Sequence, residues 1–205
     1  MEGNCKVATN VTWHHSLVSR SDKEKLLNQK GILLWFTGIS ASGKSSIAHE
    51  LEARLFQRGN FTAVMDGDNI RHGLNANLGF SPGDRSENIR RIGEVAKLFV
   101  ENGIITMTAF ISPYIADRDK VRCTMQDKGF AEIYVKCPLE VAEGRDPKGI
   151  YKKARAGLIK DFTGISAPYE EPQVPEMTLD TSEKTLEESV DAIMNFLYEA
   201  GVIKK

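Results

Sequence analysis

The sequence predicts an α/β domain: a doubly wound, mainly parallel five-stranded sheet with helices on both faces. Three observations predict it. Short apolar runs alternate with segments of helical periodicity. The first run is apolar at nearly every residue, as a strand buried on both faces must be. A glycine-rich turn joins that run to the first long helix, and parallel sheets bind ligands at such carboxyl ends.

The elements follow in order. Residues 1–30 form a polar N-terminal arm, in which Ser19-Arg20-Ser21-Asp22-Lys23-Glu24-Lys25 reads as a short charged helix. Ile32 to Thr37 is the first strand. Ile47, Ala48, Leu51 and Leu55 then recur at helical spacing, and Gly59 supplies a stop. Phe61 to Met65 is the second strand. Ile89, Ile92, Ala96, Phe99 and Val100 make the stripe of a long helix that Gly103 closes. Ile104 to Phe110 is the third strand, Ile133 to Val135 centres the fourth, and Met177 to Leu179 is a short fifth. Leu186, Val190, Ile193 and Leu197 mark the last helix, with Thr185 and Glu188 as its capping box.

Composition narrows the function. A chain of 205 residues fits one domain, here 31–205 after the arm. Lys plus Arg is 27 and Asp plus Glu is 28, so the net charge of -1 offers no extended nucleic-acid surface. Cys5, Cys123 and Cys137 are too few and too widely spaced for a disulfide framework or a zinc site. Residues 1–15 lack the basic-then-apolar pattern of a signal peptide. The longest apolar run, Ile32 to Phe36, falls far short of the roughly 20 residues of a membrane span. The expectation is a cytoplasmic protein with no membrane or nucleic-acid partner.

Gly38-Ile39-Ser40-Ala41-Ser42-Gly43-Lys44-Ser45 fits G-x-x-x-x-G-K-[ST], between a strand and a helix as that motif requires. The glycines let the backbone turn tightly and aim N–H groups at phosphate oxygens. The helix that follows presents its positive end. Lys44 neutralises the β- and γ-phosphates, and the Ser45 hydroxyl can ligate Mg²⁺. The fold is therefore expected to be of the P-loop NTP hydrolase and kinase class, binding a nucleoside triphosphate.

The second strand runs into Met65-Asp66-Gly67-Asp68-Asn69. Acidic residues at that tip can serve a metal ion or a nucleophile. A guanine-selecting Asn-Lys-x-Asp is missing, which argues against a GTPase, and the length suits a small metabolite kinase. Arg71, Arg85, Arg90 and Arg91 flank Gly79-Phe80-Ser81-Pro82-Gly83-Asp84 and suit an anionic acceptor, although one of Arg90 and Arg91 is better read as solvated helix charge. Arg145, Lys148, Lys152, Lys153, Arg155 and Lys160 form a basic segment hinged by Gly149 and Gly157. It reads as a lid over phosphates, at about residues 145–170. Phe80 and Phe162 lie in loops beside these motifs and could stack on a purine.

On these residues the chain resembles the adenylyl-sulfate kinases (adenosine-5′-phosphosulfate kinases), in their stand-alone, fungal-type form. The resemblance covers nearly all of residues 10–200. It rests on Trp35-Phe36-Thr37-Gly38-Ile39-Ser40, Asp66-Gly67-Asp68-Asn69-Ile70-Arg71, Leu78-Gly79-Phe80-Ser81, Asn88-Ile89-Arg90-Arg91, Phe110-Ile111-Ser112-Pro113-Tyr114, Asp146-Pro147-Lys148-Gly149 and Phe162-Thr163-Gly164-Ile165. It implies transfer of the γ-phosphoryl of MgATP to the ribose 3′-hydroxyl of adenylyl sulfate, giving 3′-phosphoadenylyl sulfate and ADP.

It also implies roles. Gly38, Ser40, Ala41, Ser42, Gly43, Lys44, Ser45 and Ser46 would hold the ATP phosphates. Asp68 would meet the acceptor ribose and Mg²⁺ and act as general base, with Asn69 beside it and Asp66 supporting the site from behind. Arg71, Arg85 and Asn88 would hold the acceptor's phosphosulfate and ribose, and Phe80 and Phe162 would sandwich its adenine. Ile111 and Ser112 would border that site, and Lys148 would belong to the lid. Ser112 matches the position assigned in some members to a phosphoserine intermediate, a step that direct in-line transfer within one cleft does not require. Many members carry glycine where this chain has Ala41. A homodimer is implied, with an ATP sulfurylase as metabolic neighbour; the chain itself has no sulfurylase domain.

Three rival readings remain. Another P-loop metabolite kinase, of nucleoside, gluconate or shikimate type, differs in its acceptor, and purine-stacking rings together with Arg71 and Arg85 favour a nucleotide. A regulatory nucleotide-binding subunit would not need Lys44, Ser45, Asp68 and a basic lid together. A nucleic-acid 3′-end kinase would need an extended basic groove.

Overall fold

The computed structural model describes residues 10–12, 14–125 and 129–205. Five strands form one sheet: β1 (Ile32–Thr37), β2 (Thr62–Asp66), β3 (Ile105–Ala109), β4 (Phe130–Lys136) and β5 (Met177–Asp180). Their order is β2-β3-β1-β4-β5, and every pairing is parallel. The expected sheet is thus present and wholly parallel.

β1 lies at the centre because every one of its residues is buried. Its side chains alternate between two cores. Ile32, Leu34 and Phe36 pack with Ile47, Leu51 and Leu55 of α2 (Lys44–Gln57) and with Val190, Ile193 and Leu197 of α8 (Leu186–Glu199). Leu33 and Trp35 pack on the other face with Ile89, Ile92, Ala96 and Val100 of α4 (Pro82–Val100) and with Val121 of α5 (Ile115–Thr124). The three periodic stripes read from the sequence are those of α2, α4 and α8.

Local chemistry fixes the helix starts. Thr185 and Glu188 form the expected capping box. Ser81 caps α4 by accepting from the Asp84 N–H, with Pro82 in the first turn, so this helix begins well before its apolar stripe. The charged stretch in the arm is α1 (Arg20–Leu27), capped by Ser19 and Asp22. Phe61 is 57% exposed and precedes β2 rather than opening it.

Four short or polar helices were not expected: α3 (Gly67–Ile70), α5, α6 (Leu139–Arg145) and α7 (Ile150–Arg155). α6 and α7 build a third, small core of Cys137, Ala142, Tyr151, Ala154 and Phe162. Cys123 is exposed and Cys137 buried, both as free thiols; Cys5 lies outside the described residues. Among the described residues no helix is long and apolar enough to cross a membrane.

Candidate active site

The carboxyl ends of β1, β2 and β3 and the loops after β4 and β5 open into one cavity of about 1120 Å³. Its walls join the phosphate loop to the Asp66–Asp68 tip, to Arg71, Phe80, Arg85 and Asn88, and to Ile111 and Ser112. Residues from the basic segment, Lys148 and Phe162 among them, close the remaining side.

The phosphate loop is built on close approach. A Cβ at Gly38 would stand 2.4 Å from the Val135 carbonyl oxygen, and φ there is +148°. Only glycine lets the loop leave β1 so tightly against β4. Gly43 opens α2 at φ +102°, again a glycine conformation. Ala41 is left-handed too, at φ 57°, a conformation that costs a residue with a Cβ about 1–2 kcal/mol. That strain is a physical reason for glycine at this position in many members of the resembling family. Gly38 and Ser42 support the loop from beneath, while Ser40, Ala41, Gly43, Lys44, Ser45 and Ser46 line the cavity.

Lys44 is 8% exposed, and its ammonium donates to the carbonyls of Gly38 at 2.9 Å and Ile39 at 2.7 Å. Burial pulls its pKa down to about 7, and the Asp66 carboxylate pulls back upward. Ser45 Oγ donates to Asp66 Oδ2 at 2.6 Å. Asp66 Oδ1 accepts the Asp68 N–H at 2.9 Å and so fixes the turn that presents Asp68. Lys148 Nζ reaches Asp68 Oδ2 in an ion pair.

At the far end two guanidinium groups frame Phe80. Arg71 lies over its ring at 4.2 Å and donates to the carbonyls of Leu78 and Gly79. Arg85 donates from Nε to the Phe80 carbonyl at 2.9 Å and from Nη1 to Thr163 Oγ1 at 2.9 Å. Burial lowers the pKa of both, and Arg85 lowers that of Arg71 further by like charge. Two cations that disfavour each other inside one wall make a site for an anion. Phe80 is 60% exposed, whereas Phe162 is 8% exposed and packs edge-on to Tyr151 at 4.9 Å. Asn88 Oδ1 accepts from Asn75 Nδ2 at 2.8 Å. Asn69 and Ile111 also line the cavity. Ser112 is 2% exposed at φ 41°. Its hydroxyl accepts from Trp35 Nε1 at 3.1 Å and donates to Thr37 Oγ1 at 2.9 Å.

The basic groups divide. Arg71 and Arg85 belong to the cavity wall, whereas Arg90 and Arg91 bond to Glu87 and are not among its lining residues. Arg155 pairs with Glu143, so only part of the basic segment faces the cavity. The sequence reading missed the residues that tie this segment to the phosphate loop. Tyr151 Oη donates to the Ser40 carbonyl at 2.9 Å, and Thr181 Oγ1 donates to the Ser42 carbonyl at 2.9 Å. Arg145 Nη1 donates to Thr181 Oγ1 at 3.0 Å. Arg145 and Thr181 line the cavity together with Lys184, Thr185 and Leu186, whereas Tyr151 packs behind it against Phe162. The rule that ligands sit beyond strand carboxyl ends could have singled out Thr181, which directly follows β5.

The arrangement can hold a polyphosphate on backbone N–H groups and Lys44 while a second anion faces it from Arg71 and Arg85. Comparison with known proteins agrees. The sequence model of the family described as "Adenylylsulphate kinase" matches residues 30–180. An adenylyl-sulfate kinase of Clostridium kluyveri is 60% identical over 190 residues, 93% of this chain and 95% of that one. The structure of the Mycobacterium tuberculosis APS kinase in complex with AMPPNP and APS is 44% identical. It has a TM-score of 0.79 and covers 83% of this chain and 99% of that one. A hexameric APS kinase from Thiobacillus denitrificans is 33% identical with a TM-score of 0.66, covering 86% of this chain and 30% of that one. These relatives are bacterial and lend no support to the expected fungal-type form.

Proposed function

The chain belongs to the adenylylsulphate kinase family, and on that premise we propose how its residues share the reaction. It is an ATP-dependent kinase that moves the γ-phosphoryl to the ribose 3′-hydroxyl of adenylyl sulfate, giving 3′-phosphoadenylyl sulfate and ADP. The observation that carries the assignment of roles is the single cavity with a phosphate loop on one wall and paired arginines on another.

ATP lies with its phosphates in the loop Gly38 to Ser46 and its base toward Arg145, Thr181 and Leu186. The acceptor lies at the other end, its phosphosulfate on Arg71 and Arg85, its ribose near Asn88, and its adenine between Phe80 and Phe162. Ile111 and Ser112 border it. Asp68 stands between the two and orients the acceptor hydroxyl. It takes that proton late, since a ribose hydroxyl is a poor nucleophile near neutral pH. Most of the acceleration comes from alignment and from cations placed at the developing charge. Lys44 supplies one such cation. Lys148 supplies another by exchanging Asp68 for phosphate as the lid at about residues 145–170 closes.

The donor set near the loop is a serine hydroxyl and two carboxylates, hard oxygens that fit Mg²⁺. Ser45 and Asp68 would hold the ion beside the nucleotide phosphates, and Asp66 would orient the Ser45 hydroxyl. When bound, the ion neutralises phosphate charge. Ser112 shapes the acceptor wall and carries no phosphoryl group, a role supported by its burial and its two hydrogen bonds.

The domain division proposed is an arm at 1–30 and a kinase domain at 31–205. The enzyme works in the cytoplasm as a homodimer, supplied by an ATP sulfurylase. Light scattering after gel filtration tests the assembly, a hexamer like that of the Thiobacillus relative being the contrary result. ADP release from MgATP tests the acceptor, with AMP, adenosine, shikimate and gluconate as controls. Selective turnover with adenylyl sulfate and a 3′-phosphorylated product is expected; preference for a control would overturn the acceptor assignment.

A further inference from the structure

A buried ion pair stands behind the Ser112 wall of the cavity. Arg118 on α5 is 2% exposed and Glu132 on β4 is 6% exposed. Arg118 Nε donates to Glu132 Oε1 at 2.6 Å. The other two nitrogens of the guanidinium are also engaged. Nη1 donates to the Ser112 carbonyl at 2.7 Å, and Nη2 to the Glu170 carbonyl at 2.8 Å. One planar group thus joins the loop after β3 to the segment that follows Phe162.

The same two stretches are stitched together beside it. The Glu170 N–H donates to the Pro113 carbonyl at 2.8 Å, and the Glu170 carboxylate accepts the Ile115 N–H at 2.7 Å. Tyr169, with its ring 5.9 Å from the Arg118 guanidinium, pairs its hydroxyl with Thr37 Oγ1 at 3.0 Å. Glu132 is braced in turn. Its second oxygen accepts from Arg122, and its N–H donates to Glu176 at 2.6 Å.

Stability alone does not explain such a pair. Well-packed apolar residues usually serve as well as a buried ion pair or better. They could not donate to two carbonyls, and a buried carbonyl without a donor is costly. Ser112 also sits at φ 41°, which persists only where its surroundings over-determine it. We propose that Arg118, oriented by Glu132, is a positioning residue for the acceptor. It locks Ser112 and Pro113 against segment 162–170, so that Ile111, Ser112 and Phe162 frame one rigid pocket. This rests on the acceptor lying at that end of the cavity, as assigned above.

The test separates the two substrates. Arg118→Lys keeps a charge opposite Glu132 but cannot span both carbonyls. It is expected to raise KM for adenylyl sulfate about tenfold and leave KM for ATP within about twofold. The double variant Arg118→Met/Glu132→Leu removes both charges without orphaning either, and should show the same split. An unchanged acceptor KM in either folded variant overturns the proposal. So does an equal rise in both KM values, or loss of folding in both variants, since each would make the pair merely structural. The wild-type acceptor assay stays independent: if another acceptor is preferred, the acceptor assignment fails, and the KM split is read with that acceptor.

Discussion

The ammonium of Lys148 reaches across the cavity mouth to the carboxylate of Asp68, joining the basic segment to the tip of β2. Both side chains are mostly exposed, at 60% and 65%, so the pair is readily exchanged and adds little to stability. Its two halves should fail differently. Asp68→Asn is expected to lower kcat by about 10²–10⁴ with little change in ATP affinity. Lys148→Met should lower kcat while leaving Tm within about 3 °C of the parent. Steady-state kinetics with a thermal melt reads both; a change in Asp68→Asn confined to ATP affinity would leave Asp68 with a metal or structural role only.

The two aromatic rings differ in burial, and their removal should separate binding from folding. Phe80→Ala is expected to raise the acceptor KM about tenfold, the loss of one stacking contact, with Tm unchanged. Phe162→Ala empties a buried site against Tyr151 and should cost about 3 kcal/mol in denaturant unfolding as well as weakening the acceptor. If acceptor KM stays the same in Phe80→Ala, the ring has no part in binding.

Lys44 makes nucleotide binding a proton-linked event. With a pKa of about 7 in the folded protein, its side chain is largely neutral at pH 8. Polyphosphate beside it favours the charged form and raises the pKa, so binding takes up a proton between pH 7 and the usual lysine range. Affinity should therefore fall as pH rises through that window. Calorimetric titration of ADP at pH 8 in buffers of different ionisation enthalpy measures the uptake, which Lys44→Met should abolish. A buffer-independent heat in the parent would contradict it.

Ser112→Ala addresses the hydroxyl. It leaves Trp35 Nε1 without its acceptor in a buried site, a loss of about 1–3 kcal/mol of stability. Turnover should stay within about threefold of the parent, since the carbonyl held by Arg118 is unaffected. A collapse of kcat in a folded variant, with a phosphoserine trapped at 112 in the parent, would restore the covalent step.

What the sequence made legible follows from range. β1, the phosphate loop and α2 carry their signal within a few residues: an apolar run, glycines at fixed offsets, a helical stripe. α5 carried no such signal, because its buried positions are Asp117, Arg118 and Val121 rather than an apolar face. Its polar packing rests on partners in other elements, Glu132 of β4 paired with Arg118 and Ser86 of α4 donating to Asp117. Tyr151 and Thr181 were invisible for a related reason. They bond to Ser40 and Ser42 across 111 and 139 residues, and nothing in local spacing records such contacts. Charge and position alone set one of Arg90 and Arg91 aside; the Glu87 carboxylate, which engages both, accounts for the pair.

The small core beneath α7 holds five buried side chains, while the core shared by β1, α2 and α8 holds twenty. Regions with so little buried apolar surface open on their own, well below the free energy of global unfolding. Amides in α7 should thus exchange with deuterium through a separate, faster opening than those of β1. Because the Tyr151 hydroxyl ends on the Ser40 carbonyl, each opening also releases the phosphate loop from one side. Local melting of this subdomain is thereby coupled to the backbone that cradles the phosphates.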